Sequence, residues 1–313
     1  MQVQLIAPSG ASLDARSPRA GISWLMGQGV SVLNAECTQR VHQRFSGSNA
    51  ERLYELNHLA VLPASTTVMA MRGGYGLHRL LGSIEWDAIH KAVQAGLQIC
   101  GHSDFTAFQL GLLAKTGGMS LAGPMLNYDF GRIEDSQVVA PDPFMWAHFQ
   151  RAVQERSLSA QVNTNQPLSA LGSKTKTSTG MLWGGNLTVL TSLIGTPYFP
   201  SEQQYQRGVL FLEDVNEHPY RIERMLMQLL EAGILDKQSA IMMGGFSAYR
   251  LYDNDRGYSL QAAFELIRSR LPDSIPILTD LPFGHQPNKL TLPVGAIVEI
   301  EASDAGYLMQ ADW

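Results

Sequence analysis

Only two cysteines, Cys37 and Cys100, occur in 313 residues. They form neither a Cys-x-x-Cys pair nor a disulfide framework, so a zinc ribbon and a small disulfide scaffold are excluded and two buried thiols are expected. An excess of positive charge is also missing. Lys and Arg number 23 against 28 Asp and Glu, a formal net charge of -5 with no basic run, so nucleic acid and anionic membrane surfaces are not expected partners. No apolar run is long enough to cross a bilayer. The first eight residues have neither the basic start nor the apolar stretch of a signal peptide, and a cytoplasmic protein is the expectation. No His-x-x-x-His pair and no group of three candidate ligands appears, so no metal and no cofactor is expected.

What is present is an ordinary globular composition, 45% hydrophobic and 16% charged, in a chain long enough for one large or two medium α/β domains. Apolar runs at 3–7, 30–33, 67–71 and 97–100 predict buried strands. Helical patterns at Ala20–Gly29, Glu51–Leu59 and from Leu77 alternate with them. Such βαβ alternation predicts a parallel sheet with helices on both faces and ligands at the carboxyl ends of its strands. From Ser136 to Thr179 the pattern loosens, through Pro141-Asp142-Pro143, a Gln/Asn/Ser-rich stretch at 157–167 and Lys174–Thr179. A domain junction is placed there, at 151–178, between a first domain at 1–150 and a second at 179–313. In the second half, strands are expected at 209–212, 240–243, 275–278 and 296–300. A helix is expected from Pro219 to Ala232, with proline suiting its first turn.

One stretch carries the layout of a nucleophile elbow. The strand ending at Cys100 runs through Gly101-His102-Ser103-Asp104-Phe105 into a helical pattern, a turn that lifts a hydroxyl above a sheet and frees the next N–H for an oxyanion hole. Gly101 fits, since a crowded turn leaves no room for a Cβ. Phe105 stands where the usual pattern has a small residue, and a serine in such a turn also serves as a helix N-cap. The turn Arg72-Gly73-Gly74-Tyr75-Gly76 ends an earlier strand. With Arg79 in the third glycine position it is not a dinucleotide fingerprint. Two uses remain open, bare N–H groups presented to an anion or a plain tight turn.

A serine nucleophile needs a base, and the base an orienting carboxylate. Of eight histidines, His285 stands out because it follows a buried strand and Pro282-Phe283-Gly284, in a loop where a base would sit or where a surface histidine would be unremarkable. His102 adjoins the serine and is expected to point away from it. Glu213 ends the apolar run Val209–Leu212, where a carboxylate is costly unless paired, or else is a solvated strand end. Asp214 is expected to face the opposite way from Glu213.

Taken together, and in order, these pieces resemble the LD-carboxypeptidases, or muramoyltetrapeptide carboxypeptidases. This serine peptidase family includes the microcin-immunity hydrolases. The resemblance runs through Ile6-Ala7-Pro8-Ser9-Gly10, Arg72–Gly76, Arg79-Leu80-Leu81, Cys100–Ala107, Gly123-Pro124-Met125, Leu182-Trp183-Gly184-Gly185-Asn186-Leu187, Ile194–Pro197, Leu212–Pro219 and Asp280–His285. It implies an α/β fold, with a flavodoxin-like or amidotransferase-like parallel-sheet domain carrying the nucleophile and a β-rich swivelling domain supplying its partners. By that resemblance Ser103 is the nucleophile, His285 the base and Glu213 its partner, with the backbone N–H groups of Gly74 and Asp104 as oxyanion donors. Arg72, Arg79 and Asn186 are candidates for the substrate's carboxylate. The implied activity removes the terminal D-Ala from cytoplasmic murein tetrapeptides in peptidoglycan recycling. Alternatives are an immunity-type hydrolysis of peptidyl or aminoacyl nucleotides and a muropeptide-binding protein without turnover. The expected partners are a small muropeptide and a second copy of the chain.

Overall fold

The structure is a computed structural model, and it describes residues 1–164 and 177–313. The first half supplies strands β1 (Gln2–Ile6), β2 (Ser31–Leu33), β3 (Thr66–Ala70), β4 (Gln98–Gly101) and β5 (Ser120–Ala122), with a small hairpin of β6 (Ile133–Glu134) and β7 (Gln137–Val138). Between and after them run α1 (Arg16–Gly27), α2 (Asn49–Asn57), α3 (Trp86–Ala95), α4 (Thr106–Thr116) and α5 (Pro143–Gln154). The second half holds β8 (Ser157–Asn163), β9 (Thr177–Asn186), β10 (Val209–Val215), β11 (Ala240–Ser247), β12 (Ile277–Leu278), β13 (Leu292–Val294), β14 (Ile297–Ser303) and β15 (Gly306–Asp312). Its helices are α6 (Leu187–Ser192), α7 (Glu202–Tyr205), α8 (Pro219–Glu231) and α9 (Leu260–Arg270).

Two sheets organise the molecule. The first has the order β13-β5-β4-β3-β1-β2, and the second β12-β11-β10-β9-β14-β15-β8. Strands β2, β1, β3, β4 and β5 are parallel, as βαβ connections require. The second sheet is mixed, with β9 to β12 parallel and β14, β15 and β8 antiparallel. All five residues of β3 are buried, the signature of a strand covered on both faces. This is the mixed α/β architecture in two parts that the sequence implies. Both cysteines are free and buried.

Two expectations are corrected. The helix expected from Leu77 is two short 3-10 turns, Leu77–Arg79 and Leu81–Ser83, and the α-helix starts only at Trp86. Pro141-Asp142-Pro143, read as loosening, is instead a helix start: the Asp142 carboxylate accepts from the N–H groups of Phe144 and Met145, and Pro143 takes the first turn. Within the expected junction, β8 pairs along its whole length with β15. Residues 165–176 of that stretch lie outside the described residues.

Late in its course the chain crosses back between the sheets. After β12 the chain leaves the second sheet, passes through His285, and enters the first as β13, antiparallel to β5 with Leu292 opposite Ala122. It then returns to the second sheet in β14.

Candidate active site

Strand β4 ends at Gly101, His102 is extended at φ -152°, and Ser103 turns left-handed at φ 62° before the turn Ser103–Phe105 feeds α4. A non-glycine residue in that region is strained, as at the apex of an elbow. The two flanking oddities explain each other. A Cβ on Gly101 would lie 2.6 Å from the Phe105 ring, and that buried ring stacks on Phe108 at 5.0 Å. The large residue after the serine therefore packs down into the core on top of the glycine.

The turn after β3 closes over the serine. A Cβ on Gly73 would stand 2.6 Å from the Ser103 Cβ, 2.7 Å from its Oγ and 3.1 Å from the Asp104 nitrogen. Gly74 follows at φ 108°. The buried Asp104 carboxylate ties three segments together, accepting from Ser9 Oγ at 2.7 Å and from the Leu77 N–H at 3.1 Å. Gly73→Ala is expected to reduce turnover about 10²-fold, because a methyl group there displaces Ser103 by a sizeable fraction of an ångström or more. Steady-state kinetics at saturating substrate checks this, with the fall expected in kcat.

Glu213, in β10 and wholly buried, and His285, in the crossing loop, meet the serine from the other half. His285 Nδ1 lies 2.8 Å from Glu213 Oε2, and His285 Nε2 lies 3.1 Å from Ser103 Oγ. Gly284 permits this closeness, since a Cβ there would press on the Glu213 side chain at 3.1 Å. Burial opposes a charge on His285, but the adjacent Glu213 carboxylate outweighs it and the pKa is raised above the ordinary histidine value. The arrangement has the parts of a base-activated hydroxyl: a nucleophile, a base in contact with it, and a buried carboxylate fixing the base.

A cavity of about 760 Å³ opens beside Ser103, lined among others by Arg72, Gly73, Gly74, Asp104, Asn186 and His285. Arg72 lines the cavity: Nη1 donates to the Ala11 carbonyl at 2.8 Å, the guanidinium lies over Tyr128, and the buried Nε has no partner among the described residues. Arg79 does not. Its 3-10 turn directs it onto Phe45, 4.5 Å from the ring centroid, and it does not line the cavity. Asn186 borders the cavity but is already engaged. Its Nδ2 donates to Glu213 and Asp214, each at 3.2 Å, and its Oδ1 caps α6 through the Val189 N–H. Asn186 thus supports the Glu213 carboxylate.

Asp214 corrects a further expectation. The pairing of β10 with β11 shifts register between Leu212 and Asp214, which breaks strict alternation, and both carboxylates reach the same Asn186 amide. Asp214 also accepts from the Thr188 N–H and hydroxyl, each at 2.8 Å. Burial, and then the charge of Glu213, push its pKa up to about 6.

Comparison with known proteins identifies the family. The model of the LD-carboxypeptidase N-terminal domain matches residues 3–123 and that of the C-terminal domain residues 179–300. A Synechocystis sp. protein named as a carboxypeptidase is 32% identical over 311 residues, covering 98% of this chain and 93% of its own. The chain belongs to the LD-carboxypeptidase family. It is a serine carboxypeptidase of that family. The crystal structure of muramoyltetrapeptide carboxypeptidase from Oxalobacter formigenes matches with a TM-score of 0.86 and 37% identity, covering 100% of this chain and 99% of that one. The microcin self-immunity protein of Escherichia coli is 26% identical over 299 residues, 90% of this chain and 84% of its own.

In this LD-carboxypeptidase the sequence reading missed a buried ionic cluster beside Ser103 and His285. Lys289 Nζ lies 2.6 Å from Asp129 Oδ1, both side chains at most 2% exposed, and 3.3 Å from His102 Nε2. His102 does point away from the serine, with Nδ1 on the Gly123 carbonyl at 2.9 Å. Burial, aided by the charges of Lys289 and His285, holds its pKa well below the usual value, so it stays neutral and Nε2 is the acceptor. The signal available was faint: a lone Lys four residues after His285, and a lone Asp inside Leu126-Asn127-Tyr128-Asp129-Phe130.

Proposed function

We propose that this LD-carboxypeptidase removes the terminal D-Ala from murein tetrapeptides, L-Ala-γ-D-Glu-meso-diaminopimelate-D-Ala, free or sugar-linked, in cytoplasmic peptidoglycan recycling. The observation that carries the reading is the unbroken contact from Ser103 Oγ through His285 to Glu213, beside the cavity. Ser103 attacks the carbonyl at the L-centre of diaminopimelate and its proton passes to His285 Nε2. The tetrahedral oxyanion forms against the N–H groups of Gly74 and Asp104, an arrangement whose loss costs about 10²–10³ in rate per donor in comparable sites. The C–N bond then breaks, His285 gives its proton to the departing D-Ala nitrogen, and an acyl-enzyme is left. Water, deprotonated by His285, attacks the ester; the proton returns to Ser103 as the tripeptide leaves. Arg72 takes the terminal carboxylate. The nucleophile belongs to a first domain at 1–150, its partners to a second at 179–313, and the working form is a homodimer.

Likeness to the self-immunity protein favours a second reading, hydrolysis of a peptidyl or aminoacyl nucleotide by the same residues. One experiment separates them: mass spectrometry of a muropeptide mixture and of an aminoacyl-nucleotide conjugate, before and after exposure to the protein. Loss of D-Ala from tetrapeptides, with the conjugate intact, is expected. Release from the conjugate alone sinks the first reading. Absence of both, with Ser103 resistant to a fluorophosphonate, leaves a binding protein.

A further inference from the structure

His285 reaches Ser103 from a loop whose two ends are rooted in different sheets. Its position is therefore only as good as the loop's attachment to the half that bears the nucleophile. Lys289 lies four residues along that loop and is buried against that half. Its two partners are Asp129, in the turn Leu126–Phe130, and His102, the residue before the nucleophile. Each partner is fixed in turn. Asp129 Oδ2 accepts from the Met125 N–H at 2.7 Å, and His102 is bound to Gly123. The His102 ring then meets His285 edge-on, with centroids 5.3 Å apart and planes at 74°. Burial of an ion pair is weak evidence for stability, since apolar replacement of both partners is often neutral. A pair that joins two parts of a site is better placed to set geometry than to hold the fold.

We infer that Asp129, Lys289 and His102 form a positioning device that moors the His285 loop to the nucleophile-bearing half and holds His285 Nε2 against Ser103 Oγ. The inference rests on the triad reading above. It gives His102 a second part: engaged on both nitrogens, it takes no proton from the serine. The groups facing His285 are Glu213 on one side, Ser103 below, and His102, Lys289 and Asp129 on the other. Of these, Lys289 opposes its protonation and Asp129 favours it.

The test compares Lys289→Met, Asp129→Asn and the double variant by the rate at which an alkyl fluorophosphonate labels Ser103 across pH, alongside thermal melting. This probe reports on the serine whatever the natural substrate is. The double variant leaves no unpaired buried charge and keeps an acceptor for the Met125 N–H, so it should melt close to the wild type. Its labelling plateau should nevertheless fall about 10- to 100-fold, the effect of a misplacement near 1 Å. Lys289→Met alone, measured well below its melting temperature, should also move the labelling midpoint to higher pH. That shift reports the Lys289 charge at His285, whereas the fall in the double variant's plateau with melting unchanged is what a merely structural pair would not produce. A double variant that labels at the wild-type rate, or a Lys289→Met midpoint that stays put, overturns the inference. A wild-type chain that takes no label overturns the triad reading together with it.

Discussion

Ser103→Ala is expected to abolish release of the C-terminal residue, by about 10⁶-fold in kcat on the scale seen when the nucleophile of a triad is removed. The variant should fold normally. Alanine can occupy the same left-handed position as serine, and the lost contact is one 3.1 Å hydrogen bond to His285, worth about 1 kcal/mol. Burst kinetics and a melting curve on the same preparation separate the two effects. A variant that folds and still turns over at the wild-type rate removes Ser103 from the chemistry.

Glu213→Gln should cost about 10⁴-fold in kcat while keeping the shape of the site. The carboxylate is wholly buried and can only accept, so it compels His285 to carry its proton on Nδ1 and present a bare Nε2 to the serine. A glutamine amide can instead donate to Nδ1, which flips the tautomer and leaves Nε2 protonated. The same substitution changes the pH profile with a definite sign. On the mechanism proposed above neutral His285 is the active form, and Glu213 raises its pKa against the effect of burial. Wild-type kcat/KM is therefore lost as pH falls through a midpoint above the ordinary histidine value. In Glu213→Gln burial acts without that carboxylate to offset it, and the acid limb should move to lower pH. Steady-state kinetics from acid to neutral pH checks the shift, and a limb that stays in place means Glu213 does not face His285 in solution.

Ser103, Glu213 and His285 were legible in the chain because each sits at a break in pattern. One is a serine in a strand-to-helix turn, one a carboxylate at the end of four apolar residues, one a histidine after Pro-Phe-Gly. Local order of that kind reads well from sequence, and the structure does bring the three together. What was hidden depended on distant partners or on a local irregularity. Asn186 looked like a substrate ligand because nothing adjacent reveals that β9 and β10 run side by side and hand its amide to Glu213. Asp214 turned towards the same amide because of a register shift, which alternation cannot foresee. Arg79 is a reasonable cation for a carboxylate by its place after the glycine-rich turn, but its 3-10 turn sends it onto Phe45 and away from the cavity. Lys289 and Asp129 are 160 positions apart and lie in stretches of unremarkable composition, so a lysine destined for the interior looked like any surface lysine. Strand β8 does alternate buried and exposed residues, but its Ser and Gln content masked the period.

The placement of β13 bears on how the chain comes into being. Strand β5 closes its edge of the first sheet only with residues near position 293, long after the five parallel strands have left the ribosome. Until then that edge offers unpaired N–H and C=O groups to any extended segment nearby, a hazard that nascent chains and truncated fragments share. The peptide that ends the exposure is the one arriving just behind His285. Completion of the sheet and arrival of His285 beside Ser103 are thus a single late event, and on the mechanism proposed above a half-made copy bearing the serine elbow lacks its base.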